Sequence, residues 1–282
     1  MRTRRAHRRT GAAHPMRVAT AANLRRIDVC ADDFGLTDAA CRSILHLGGR
    51  GALSSTSVAV DGTALPAHLP ALRALRPQLR IGLHLNLTGN PTFGGSQPVS
   101  AWIRDCWLGR VDRAALAGEI DRQLLRFHQL FDNAPDFIDG HEHVHQFPVV
   151  RELLLAALLR HHGQSVPIRC TWPLHWRGAK AAVIGLLGAR ALRDAAARQG
   201  LRSNSDFAGV YDLQSPDGYA ARMEHWVARL ADGGLIMCHP EYPQPDAHPA
   251  RMAEHAYFDS PAWPALLAGQ KVTLETRLGT LN

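Results

Sequence analysis

Four short polar clusters combine residue types suited to holding a cation and moving protons. They are Asp32-Asp33, His84 within Gly82-Leu83-His84-Leu85-Asn86, the run His141-Glu142-His143-Val144-His145 after Asp139, and His239 within Met237-Cys238-His239-Pro240. One carboxylate with two imidazoles is a common ligand set for a divalent cation, and it leaves positions open for water and substrate. Neighbouring carboxylates repel one another, and a cation relieves that repulsion. The spare aspartate is then free to act as general base toward an activated water, while a further histidine across the pocket protonates a leaving group. This division of labour suits metal-assisted hydrolysis of an amide.

Each cluster has a plainer alternative. Asp32-Asp33 also reads as an exposed turn before a helix cap, and His84 and His239 as packed, hydrogen-bonded imidazoles. The histidine run resists such a reading. If its strand continues, Asp139, His141, His143 and His145 share one face, and three imidazoles on one face are hard to explain by packing. One or two of them bind the metal directly and the others orient ligands from behind. His46, His68, His128, His161 and His162 lie on helical or loop text and receive no role. No Gly-x-Ser-x-Gly elbow, phosphate loop or dinucleotide fingerprint competes with the metal reading.

The elements that must position these clusters alternate between short β-like runs and helical ones. Strands are expected over 27–31, 53–60, 79–87, 136–140, 166–170, 235–238 and 272–275. Helices are expected from Thr37, a plausible N-cap, to Leu47, and over 65–75, 111–131, 149–159, 178–199 and 216–230. Residues 88–110 read as a long loop, and 201–216 as irregular. The alternation predicts an α/β fold with a mostly parallel sheet. Its size suits a (β/α) barrel, irregular or incomplete, with an open doubly wound sheet as the runner-up. In such barrels the active site lies at the C-terminal ends of the strands, which is where all four clusters fall.

Composition narrows the function classes. The chain has 282 residues, 46% of them hydrophobic and 20% charged, as expected for a folded domain. The net charge of +7 suggests nucleic acid until it is located. Residues 1–26 hold eight arginines and no acid, so the rest carries 24 of the 32 basic residues against all 25 acidic ones. That near-neutral body argues against a nucleic-acid partner. The basic head reads as a disordered extension, or as sequence upstream of a start at Met16. It lacks the apolar stretch of roughly 7–15 residues that a secretory signal requires, and no apolar run reaches the roughly 18–20 residues of a membrane span. The five cysteines are scattered and odd in number, which predicts a reducing, cytoplasmic setting.

Ala31-Asp32-Asp33-Phe34-Gly35-Leu36-Thr37, Gly82-Leu83-His84-Leu85-Asn86-Leu87-Thr88, Asp139-Gly140-His141-Glu142-His143-Val144-His145-Gln146-Phe147-Pro148 and Met237-Cys238-His239-Pro240 resemble the motifs of the YdjC-like carbohydrate deacetylases, the ChbG/HpnK type. The resemblance covers roughly residues 27–282. It implies a barrel related to the NodB-type deacetylases and a hydrolase that removes acetyl groups from N-acetylated sugars with a divalent cation. Magnesium is the cation the family suggests, with zinc or another transition metal as alternatives. Carried over by position, the resemblance makes Asp33, His84 and His141 the metal ligands, Asp32 the general base and His239 the general acid. It also hints at a homodimer. The third motif is closer to the sugar deacetylases than to the hopanoid branch. Two rival readings remain: a non-catalytic sugar-binding barrel, and an Fe(II) oxygenase built on two histidines and one carboxylate. Trp102, Trp107 and Trp172 are candidates for stacking on sugar rings, with core or lid packing as the alternative for each.

Overall fold

The computed structural model describes residues 24–90, 93 and 97–276. Among the described residues seven strands run parallel: β1 (Arg25–Phe34), β2 (Ser55–Val58), β3 (Arg80–Leu85), β4 (Ile138–Gly140), β5 (Phe207–Ala208), β6 (Gly234–Cys238) and β7 (Val272–Leu274). Their order is β4-β3-β2-β1-β6-β5, with β7 paired to the start of β1. At ten residues, β1 is long enough to hold β7 along Arg25–Ile27, β2 further on, and β6 along Ile27–Ala31. Its core residues Ile27, Val29, Ala31 and Phe34 are fully buried, as a central parallel strand covered on both faces requires.

The sheet does not stay open. Beyond β4, Ile138 pairs with Ile168, whose amide donates to Arg202 O at 2.9 Å. The last gap is spanned by one side chain. Asn204 Oδ1 accepts from Cys170 N at 2.8 Å, and its Nδ2 lies 2.8 Å from Cys170 O and Asp206 O, next to β5. The result is the irregular barrel, and the doubly wound alternative is set aside. The segment expected as a strand over 166–170 makes a single bridge, to Ile138, and on its other side one backbone bond to Arg202 O and the Asn204 side chain stand in place of a ladder.

The helices pack around this sheet: α1 (Asp38–Gly49), α2 (Leu65–Leu75), α3 (Val99–Trp107), α4 (Arg113–Phe131), α5 (Val150–His162), α6 (Ala179–Ile184), α7 (Arg190–Arg198), α8 (Tyr219–Arg229), α9 (Pro249–Asp259) and α10 (Ala262–Gly269). Thr37 caps α1 as expected, its hydroxyl accepting from Ala40 N at 3.1 Å. Three expectations need correction. The long loop of 88–110 contains α3, whose Trp102 and Cys106 are buried against the core. The helix expected over 178–199 breaks at Leu187-Gly188, where Gly188 takes φ 120°. The irregular stretch 201–216 holds β5. The expectation for the basic head falls on residues 1–23, outside the described residues, whereas Arg25 and Arg26 open β1.

Candidate active site

Consecutive side chains on a regular strand point to opposite faces, so Asp32 and Asp33 should diverge. They do not, because β1 is bulged between Ala31 and Phe34 where it pairs with β2. Asp33 sits at φ 69°, in the left-handed region that aspartate tolerates better than most residues. The bulge brings both carboxylates to the wall of one cavity at the strand ends. Gly35 follows at φ +99°, and a Cβ there would lie 2.9 Å from Ala59 O, so the chain turns into α1 only with glycine at this position.

His84 is the penultimate residue of β3, and His141 follows β4. Their ring nitrogens and Asp33 form a compact triangle. Asp33 Oδ1 lies 3.1 Å from His141 Nδ1 and 3.3 Å from His84 Nε2, and the two nitrogens are 3.3 Å apart. Ligand bonds of about 2.0–2.2 Å put neighbouring donors roughly 2.8–3.6 Å apart in octahedral or tetrahedral coordination, so the three atoms fit one cation. His84 is held from behind: Asp139 Oδ1 lies 2.6 Å and Ser57 Oγ 3.0 Å from its Nδ1, which points Nε2 at the triangle. Burial alone would lower the His84 pKa, but the Asp139 carboxylate and the bonds to Asp139 and Asp33 push it up to about 10. The field that favours a proton there favours a cation equally. For Asp33, burial opposes ionisation, and the bonds from His141 and His84 outweigh it and hold the carboxyl well below its usual range. Its other oxygen, Oδ2, faces Arg251 Nη1 at 3.2 Å.

Asp32 is clamped by a residue that sequence reading passed over. Arg169 places Nη1 and Nη2 each 2.6 Å from the two Asp32 oxygens, and Nη2 also 2.6 Å from Asp139 Oδ2. Both partners are buried, Arg169 at 2% exposure. Burial would raise the Asp32 pKa, but the bidentate guanidinium overrides it and keeps the carboxylate ionised. The chain of contacts Asp32–Arg169–Asp139–His84 thus joins the second aspartate to the triangle through shared polar partners. A signal for Arg169 existed in the sequence. A lone arginine in the apolar run Val166-Pro167-Ile168-Arg169-Cys170 needs a buried acid.

His239 follows β6 and lines the same cavity. Burial lowers its pKa, with Asp33 and Asp32 pulling the other way. Its backbone N–H donates to Glu254 Oε2, while Glu254 Oε1 accepts from the Tyr211 hydroxyl at 2.5 Å. Glu254 is fully buried, and burial raises its pKa to about 7 against those two bonds. Nothing in the text of α9 singled out Glu254 or Arg251.

All five expected residues, Asp32, Asp33, His84, His141 and His239, therefore meet around one cavity of about 470 Å³. Its other walls mix apolar residues, Val99, Ile103, Phe147, Leu187 and Val210 among them, with polar ones such as Gln146, Lys180 and Arg251. The shared face of the histidine run is a correction. The strand stops at Gly140 and a tight 3-10 turn follows, with Glu142 at φ 50° and His143 at φ 60°. His143 still reaches the cavity, but His145 turns beneath it, Nε2 lying 3.1 Å from Arg169 O. Of the three tryptophans, Trp102 is buried against Phe93 and Trp172 packs on Arg190 and Gly185. Trp107 is 46% exposed and stands edge-on to Phe147 at the cavity.

Comparison with known proteins adds to this geometry. Residues 26–269 match a family model described as YdjC-like protein. A mouse protein named carbohydrate deacetylase is 32% identical over 77% of this chain and 78% of its own length. A Klebsiella pneumoniae protein named chitooligosaccharide deacetylase is 30% identical over 77% of this chain and 82% of its own. Among solved structures, an Enterococcus faecalis protein named for cellobiose-phosphate cleavage aligns with TM-score 0.67 at 20% identity, covering 90% of this chain and 97% of that one, a likeness of fold.

Proposed function

The chain belongs to the YdjC-like protein family, and on that footing we propose that it is a metal-dependent hydrolase that removes acetyl groups from N-acetylated sugars or oligosaccharides. The observation that carries this reading is the triangle of Asp33, His84 and His141 donor atoms at 3.1–3.3 Å, with an ionised Asp32 on the same cavity wall. Asp33, His84 and His141 would hold the cation, and two imidazoles suit a zinc-type ion better than magnesium, which prefers oxygen ligands. When bound, such an ion polarises an acyl carbonyl and acidifies water enough for a carboxylate as weakly basic as Asp32 to take its proton.

The protein's own groups supply the rest. Arg169 fixes the Asp32 carboxylate in place and in its ionised form, ready to accept the proton of the attacking water. Water adds to the acetyl carbon, and the C–N bond then breaks. His239 in its protonated form, which the Asp33 and Asp32 carboxylates favour against burial, would donate its proton to the departing nitrogen. Acetate and a free amine leave, and the proton taken up by Asp32 restores the acid. The Glu254 carboxylate holds the His239 backbone, and Val210 and Tyr211 line the same cavity. Names of the relatives favour a chitooligosaccharide-type substrate, and the five free, buried cysteines favour a cytoplasmic setting. The test is acetate release from a panel of N-acetylated mono- and oligosaccharides, with chelator and with metal restored. Metal-dependent acetate release is expected. Sugar binding without acetate release, or release that needs oxygen, would overturn the proposal.

A further inference from the structure

Away from the cavity, α1 and α9 bring together a second set of two imidazoles and one carboxylate. His46 lies near the end of α1, and His255 and Asp259 stand four residues apart on one face of α9. One donor atom from each lies within 4.8 Å of the other two. His46 Nε2 is 2.8 Å from Asp259 Oδ1, and the two imidazole centroids are 5.5 Å apart. His255 is 6% exposed and is held from behind, its Nδ1 lying 2.8 Å from the Ser43 hydroxyl. This repeats, at a second place, the supporting contact that Ser57 and Asp139 give His84.

We propose that His46, His255 and Asp259 form a second, structural site for a zinc-type cation, clamping α9 to α1. The donors are imidazole and carboxylate, which select transition ions over magnesium or calcium. His46 is 38% exposed in its side chain, so water has access to complete the coordination. Burial lowers the His255 pKa, and the neighbouring His46 adds to that shift. Arg50 is the competitor, its Nε standing 3.1 Å from Asp259 Oδ1, and an arriving ion must displace it from that oxygen. The site has a structural consequence for the cavity. α9 also carries Arg251, which faces Asp33, and Glu254, which holds the His239 backbone.

The test counts zinc per chain in the purified protein and follows thermal unfolding with zinc. The wild type should bind two ions, His46→Ala one and His84→Ala one, with the double variant binding neither. Zinc-dependent stabilisation should survive His84→Ala and weaken at least about tenfold in effective zinc concentration in His46→Ala. Asp259→Asn, which keeps the side-chain shape, should behave like His46→Ala, and magnesium should not replace zinc at this site. One ion in the wild type, or two in His46→Ala, would overturn the proposal, whatever the outcome of the deacetylase assay.

Discussion

Replacing Asp32 by asparagine separates catalysis from metal binding, and the structure sets the size of both effects. Asp32 accepts two 2.6 Å bonds from Arg169, one at each oxygen. An asparagine has one acceptor oxygen, so one guanidinium N–H would face an amide N–H and a buried positive charge would lose part of its compensation. Breaking a buried ion pair costs about 3–5 kcal/mol. Here the lower end is expected, because Arg169 keeps its 2.6 Å contact with Asp139. Losing the proton acceptor should lower kcat by about 10²–10⁴-fold. Metal content should hold, since the triangle uses Asp33, His84 and His141. Denaturant unfolding, metal analysis and acetate release on the same preparation read all three quantities. Asp33→Asn beside it should lose the metal. If Asp32→Asn keeps kcat within about tenfold of wild type, or if it loses metal while Asp33→Asn keeps it, the assignment of base and ligand is wrong.

Other outcomes follow from the same contacts. His84→Ala and His141→Ala should each abolish cation binding at the cavity and turnover while the protein stays folded, checked by metal analysis and circular dichroism, because a few side chains at the strand ends add little to so large a core. Glu254 titrates near 7 in the fold against 4.5 ordinarily, so the folded state holds its proton more tightly. Its stabilising contribution is full below about pH 4.5 and is lost as pH rises through 7, by up to about 3 kcal/mol. Glu254→Gln should remove that slope from the pH profile of unfolding free energy. Gly209 takes φ +105°, and a Cβ there would lie 2.0 Å from Met237 O. Gly209→Ala should therefore destabilise by about 2–4 kcal/mol, from left-handed strain and a displaced β6, as read by urea unfolding.

The alternation of apolar runs and helical stripes, and the placing of polar clusters at strand ends, were legible in the residues alone. Local periodicity and turn chemistry are properties of short segments, so β1, α1, α2 and α4 stand close to their expected places. The five candidate residues were legible for a related reason. Aspartate pairs and histidine runs are expensive in apolar text and mark sites where something compensates them. Helix α3 was hidden because glycine and proline dominate the stretch before it, and only burial of Trp102 and Cys106 against the core stabilises the helix. The two-residue β5 offers no period to read. Tertiary structure alone decided that a bulge turns Asp32 and Asp33 to the same cavity, that the histidine strand breaks at Gly140, and that Arg169 clamps Asp32 from 137 residues away. Bulge, break and clamp depend on which strands become neighbours, and a chain read one segment at a time carries no record of its neighbours in space.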